Sequence, residues 1–105
     1  MQSVHVPFGM YYNDEPFEMT FPDSWSVEVS EMVGGPNIGD AGIREAFANP
    51  IGSARLSEIA KGKTSAAILI DDLTRPTPAG QLVPYILEEL EAGGIHEDQV
   101  RIIGA

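Results

Sequence analysis

The segment Asp71-Asp72-Leu73-Thr74-Arg75-Pro76-Thr77-Pro78 holds the densest chemistry in this sequence: two carboxylates, two hydroxyls and a guanidinium, stiffened by two prolines. A guanidinium presents a rigid fork of donors that matches a carboxylate or phosphate through two parallel hydrogen bonds. The segment opens onto a helix, whose first N–H groups also favour negative charge. A small anionic molecule is the ligand this pattern suits. The same residues have a plainer use, with Asp71 and Asp72 capping a loop and Arg75 neutralising them in an ion pair. Other candidates carry less. His5 falls in a strand pattern and His96 in a Gly-Gly-Ile-His-Glu-Asp turn, and neither has further ligands at metal spacing, so both read as surface or packing residues. Gly34, Gly35 and Gly39 do not follow a buried strand into a helix, as a dinucleotide-binding loop requires, and there is no phosphate-binding loop of the Gly-Lys-Ser/Thr kind.

The elements that position this segment follow from hydrophobic periodicity. Ser65-Ala66-Ala67-Ile68-Leu69-Ile70 is a continuous apolar run, the pattern of a strand buried on both faces of a parallel sheet. Leu82, Tyr85, Ile86, Leu87 and Leu90 then recur at helical spacing, with Glu88, Glu89 and Glu91 on the solvated side. A helix over residues 78–92 is expected, with Thr77 as N-cap, Pro78 at its first position, Pro84 kinking or delaying it, and Gly93 or Gly94 ending it. Val100-Arg101-Ile102-Ile103 makes the second strand. Residues 64–105 therefore read as a βαβ unit with a right-handed crossover, part of a mostly parallel, Rossmann-like sheet. Ligands of such sheets bind beyond the carboxyl ends of the strands, which is where residues 71–78 lie.

Upstream, residues 1–31 alternate in the β manner at Val4 and Val6, at Phe17, Met19 and Phe21, and at Val27 and Val29. Turn chemistry at Tyr12-Asn13-Asp14-Glu15-Pro16 and Pro22-Asp23-Ser24 makes an antiparallel meander the expected fold of this part, with Trp25 packing at its edge. Residues 32–40, with three glycines and a proline, read as a loop. Residues 41–63 read as two short helices, the first capped by Asp40 and ending before Pro50, the second running through Leu56, Ile59 and Ala60 to Gly62. The fold class is α/β. Two parallel strands cannot cover themselves, so an incomplete domain is expected, one that needs further sheet partners and whose open edge favours self-association.

Composition narrows the partners. The 105 residues carry 16 acidic and six basic side chains, a net charge of −10, which speaks against nucleic acid or an anionic membrane as partner. There is no cysteine, hence no disulfide, thiolate metal site or cysteine nucleophile. No signal peptide or apolar stretch of membrane-spanning length is visible, and a cytoplasmic protein is expected.

Taken together, Asn49-Pro50-Ile51-Gly52-Ser53, the helix ending in Gly62-Lys63, and Ile68-Leu69-Ile70 running into Asp72-Leu73-Thr74-Arg75-Pro76-Thr77-Pro78 resemble the N-terminal domain of the nickel-dependent lactate racemase (LarA-like) family. Val6-Pro7-Phe8-Gly9 and Pro22-Asp23-Ser24-Trp25 resemble that family's N-terminal β segment. The resemblance implies an isomerase that inverts the hydroxyl-bearing carbon of a 2-hydroxy acid such as lactate by hydride transfer to a nickel-pincer nucleotide. By position, Arg75 would clamp the substrate carboxylate, Asp72 would orient substrate or cofactor, and Thr74 would share the pocket. The family's catalytic histidines, its cofactor-bearing lysine and its remaining nickel ligand are expected beyond residue 105, the first in a Thr-Gly-x-His-Arg stretch. The resemblance thus places no catalytic residue and no metal ligand within these residues, and the chain alone is expected to be inactive and to hold no cofactor firmly. Leu73, where relatives often carry histidine, and Asp71, where some carry serine or threonine, leave the substrate's side chain open. The competing reading is a non-catalytic module that binds a small carboxylate or a partner protein.

Overall fold

The computed structural model describes residues 1–8, 15–72, 74, 75 and 77–105, with the backbone alone at Phe8. Tyr12, Asn13 and Asp14 of the expected turn, and Gly9, Leu73 and Pro76 of the motifs above, lie outside the described residues, whereas Glu15 and Pro16 of that turn are strand residues. The chain forms two compact units, Met1–Pro36 and Asn37–Ala105.

In the first unit, strands β1 (Gln2–Phe8) and β2 (Glu15–Phe21) pair antiparallel, with Gln2 opposite Phe21, Val4 opposite Met19 and Val6 opposite Phe17. Residues opposite one another share a face, so the alternation gathers Val4, Val6, Phe17, Met19 and Phe21 on one side of the ribbon. Trp25 closes its end, with its ring centroid 6.0 Å from that of Phe21 and its carbonyl accepting from the Gln2 side chain at 2.9 Å. The expected meander is reduced to this hairpin, because residues 26–30 form no strand. Alternation at Val27 and Val29 marks a two-faced segment but supplies no neighbour, and a strand exists only where a ladder partner receives its backbone groups.

The second unit runs α1 (Gly39–Ala48), α2 (Leu56–Ala60), β3 (Ala66–Ile70), α3 (Ala79–Ala92), a 3-10 turn at Glu97–Gln99 and β4 (Val100–Gly104). Strands β3 and β4 are parallel in the register Ala66 to Val100 through Ile70 to Gly104, with α3 as their connection. This is the expected βαβ unit, and the chain as a whole is mixed α/β. Ala60, Ile68, Leu90 and Ile95 form the buried centre, with Leu56, Ala66, Ile70, Ile86, Leu87 and Val100 packed around it.

Several boundaries differ from expectation for local reasons. The helix α1 begins at Gly39, whose φ of +65° suits only glycine at low cost, and Asp40 sits inside the first turn rather than capping it. The helix α3 continues through Pro84, and it begins at Ala79 without a side-chain cap. It ends as glycine chemistry dictates. Gly94 adopts φ +98°, its N–H donates to the Glu91 carbonyl at 2.9 Å, and the Ile95 N–H reaches back to Leu90 at 2.9 Å, the paired bonds of a Schellman motif.

The β3 strand is not covered on both faces here. Ile68 faces the core, whereas Leu69 is 71% exposed, beside its half-exposed ladder partner Ile103. The apolar run is therefore covered by α3 on one side only, and no helix among the described residues lies on the other.

The contact between α2 and α3 is close enough to exclude a side chain at Gly93, where an added Cβ would stand 2.4 Å from the Cβ of Ala60 and 2.6 Å from the Ser57 carbonyl oxygen. The same contact buries Glu89, correcting its expected place on the solvated face of α3. Its carboxylate accepts from Arg55 at 3.0 Å (Nε) and 2.5 Å (Nη2) and from the Ser57 N–H at 3.2 Å. These donors supply the solvation that burial removes.

Candidate functional site

The 71–78 segment leaves the parallel sheet at its carboxyl end. The sheet bonding extends beyond β3, since the Ala105 N–H donates to the Ile70 carbonyl at 3.0 Å and the Asp72 N–H to the Ala105 carbonyl at 3.1 Å. The segment is thus anchored up to Asp72 by sheet bonds and from Ala79 by the helix.

Within it, the Asp72 carboxylate accepts from the Thr74 N–H at 2.9 Å and the Thr74 hydroxyl at 2.5 Å, and the Arg75 N–H donates to the Asp72 carbonyl at 3.3 Å. This is an Asx turn, in which the short acidic side chain organises the backbone two residues on. The Thr74 hydroxyl, and next its N–H, hold the Asp72 carboxyl below the usual carboxylate range. The Thr77 hydroxyl donates to the Asp71 carboxylate. Thr77 does not cap α3, because the helix begins one residue later than expected, with Pro78 at the N-cap rather than at the first helical position; the Thr77 hydroxyl turns back across the loop instead.

The structure brings Asp72 and Thr74 into direct contact and carries Arg75 on the same turn, with its side chain exposed. The two loop carboxylates are engaged by threonine hydroxyls, and among the described residues the Arg75 guanidinium enters no ion pair. Of the plainer reading, the loop-capping use of Asp71 and Asp72 is the arrangement found, whereas the ion pair with Arg75 does not occur among the described residues. Beside the loop, Ile70, Asp71, Thr77, Leu82 and Ile86 line a small recess of about 160 Å³ between β3 and α3. The recess is mainly apolar, and Arg75 is not among the residues that line it; an exposed guanidinium on the turn can hold the carboxylate of a small organic acid.

A second polar cluster, on α1 and α3, was legible only in part. Asp40 and Arg44 stand one turn apart on α1 and bond at 3.2 Å, as their spacing allows. Their partners on α3 are 44 and 45 residues distant: Arg44 pairs with Glu88 at 2.6 Å, and the Tyr85 hydroxyl donates to Asp40 at 2.7 Å. Arg44 also lies 5.0 Å from the centre of the Tyr85 ring, which stacks on Phe47. The Tyr85 bond lowers the Asp40 pKa, and Arg44 lowers that of Glu88. Arg44 answers both Asp40 and Glu88, so the cluster fastens α1 to α3 with its one cation already engaged.

Among the described residues no three His, Cys, Asp or Glu side chains are grouped to hold a metal ion. His5 lies exposed on β1, and His96 is exposed where its backbone meets Gln99 in the 3-10 turn. No described helix is long and apolar enough to cross a membrane.

The lactate racemase N-terminal domain profile matches residues 12–105. The chain belongs to this family. The match takes in β2, both short helices and the whole βαβ unit, so the loop after β3 is a feature of a lactate racemase N-terminal domain. Two curated relatives are each named lactate racemase. The one from Thermoanaerobacterium thermosaccharolyticum is 40% identical over 48 residues, 46% of this chain and 11% of the relative. The one from Lactiplantibacillus plantarum is 38% identical over 50 residues, 48% of this chain and 12% of the relative. The aligned part of this lactate racemase N-terminal domain thus spans about a ninth of those relatives' length.

Proposed function

We propose that this chain is the substrate-side portion of a 2-hydroxyacid racemase or epimerase, with lactate the leading substrate and Arg75 the residue that binds its carboxylate. The observation that carries the reading is the 71–75 turn, in which Asp72 is spent on Thr74 while the Arg75 guanidinium forms no ion pair among the described residues, in a chain of the lactate racemase N-terminal domain family. In this account Arg75 grips both carboxylate oxygens and fixes the acid's orientation, and the Asp72–Thr74 pair holds the turn and offers polar contact to the hydroxyl end. The nickel-pincer nucleotide implied by the resemblance would supply the hydride acceptor in the complete protein, on residues other than those described here. The remainder of that protein is the partner of this chain, and a cytoplasmic setting accords with the expectation from the sequence.

Lactate and lactamide separate the charge from the shape of the ligand. In the complete protein, lactamide is expected to compete about 50-fold more weakly than lactate, in line with the loss of charge-assisted hydrogen bonds to a neutral group. Inhibition kinetics on any accepted 2-hydroxy acid would show this, and equal competition by the two would contradict a carboxylate clamp.

A further inference from the structure

We propose that Asp71 and Thr77 form a strut across the base of the loop and are positioning residues for Arg75. The inference rests on the reading of Arg75 as the carboxylate clamp and extends it to residues that touch no substrate.

The loop has two fixed ends. On the strand side, the Asp72 N–H is tied to the Ala105 carbonyl; on the helix side, the Ala79 N–H donates to the Thr77 carbonyl at 2.8 Å. Between these ends the Thr77 hydroxyl meets the Asp71 carboxylate, joining side chains six residues apart. Inside this outer tie lies the smaller one from Thr74 to Asp72, and Arg75 follows directly on it. Thr77 stands where the sequence predicts the N-cap of α3, yet α3 has no side-chain cap. Pro78 occupies the N-cap position, so the Thr77 hydroxyl, one residue outside it, closes the loop instead.

The strut has two physical consequences, both acting on ligand binding. It limits the conformations of the loop before the ligand arrives, so less ordering remains to be done on binding. It also keeps the Asp71 carboxylate engaged, so that this anion does not compete with the substrate for the Arg75 guanidinium. Removing the hydroxyl would relax the loop and release a competitor, Asp71, four residues from the clamp.

The test is a double-mutant cycle in the complete, cofactor-loaded protein, read as kcat and KM for lactate or whichever 2-hydroxy acid is turned over. Thr77→Val is expected to raise KM roughly tenfold with kcat within about twofold, and Thr77→Ser to restore KM to within about twofold. In an Asp71→Ala background Thr77→Val is expected to change KM by less than about twofold, because its partner is already gone. Hydrogen exchange of the peptide spanning 71–78 should quicken in Thr77→Val and not in Thr77→Ser. A tenfold effect that persists without Asp71, or no effect of Thr77→Val where Arg75→Lys impairs binding, would overturn the strut. Unchanged kinetics in Arg75→Lys would instead overturn the clamp on which it rests, so the two failures are distinguishable.

Discussion

Replacing Arg75 with lysine in the complete protein is expected to lower kcat/KM for the 2-hydroxy acid about 100-fold. Lysine keeps the positive charge, so long-range attraction of the anion persists. It loses the planar fork, and with it one of the two parallel bonds that fix the carboxylate. A hydrogen bond to a charged group contributes about 1.5–3 kcal/mol, or roughly 10- to 150-fold in kcat/KM. The loop geometry places the expected loss toward the upper part of that range, since Asp71 and Asp72 are held by Thr77 and Thr74 and neither takes over from the substrate. Because the oriented carboxylate sets the position of the reacting carbon, part of the loss should fall on kcat as well as KM. Near wild-type kinetics would remove Arg75 from the site.

The second large effect concerns the scaffold that holds the loop's helix. Arg55→Leu leaves the Glu89 carboxylate buried between α2 and α3 with Ser57, through its N–H and its hydroxyl, as its remaining partner from this cluster. Breaking a buried pair from one side destabilises because the remaining charge loses its partner, and since Arg55 is itself half exposed the loss is expected to be smaller than for a fully buried pair. Glu89→Leu should cost much less, because it removes the buried charge and leaves Arg55 free to be hydrated. The pH dependence has a definite sign. Hydrogen bonding from Arg55 holds the Glu89 pKa below its ordinary value of 4.5, so the stability it contributes is present above that value and is lost as pH falls through the lower folded-state value. The gap between wild type and Arg55→Leu, measured by urea unfolding of the chain, should therefore narrow from pH 7 toward pH 3. No loss of stability at pH 7, or a gap that widens on acidification, would contradict this account.

Periodicity revealed the elements that repeat: the β3 run, the apolar stripe of α3, and the parallel pairing that puts residues 71–78 at the carboxyl edge of the sheet. It failed where the outcome depends on a distant partner. Glu89 sits among Glu88 and Glu91 and reads as one more solvated glutamate; its burial is decided by Arg55, 34 residues earlier. Val27 and Val29 alternate as a strand does, yet no ladder partner meets them among the described residues. Thr77 precedes a helix and reads as its cap, but the Asp71 carboxylate is a charged acceptor within reach and takes the hydroxyl. The residue types of the candidate site were legible because aspartate, threonine and arginine carry their chemistry locally. The arrangement that keeps Arg75 clear of the two aspartates was not, since either threonine could have bonded the backbone instead.

The most direct measurement is chiral analysis of lactate incubated with the complete, cofactor-loaded protein, starting separately from each pure enantiomer, with the 105-residue chain assayed in parallel. Both time courses are expected to converge on equal amounts of the two enantiomers with the complete protein, and neither to move with the 105-residue chain. Failure of the complete protein to interconvert lactate or any other 2-hydroxy acid, or turnover by the 105-residue chain with contaminating full-length protein excluded by mass spectrometry, would contradict the account.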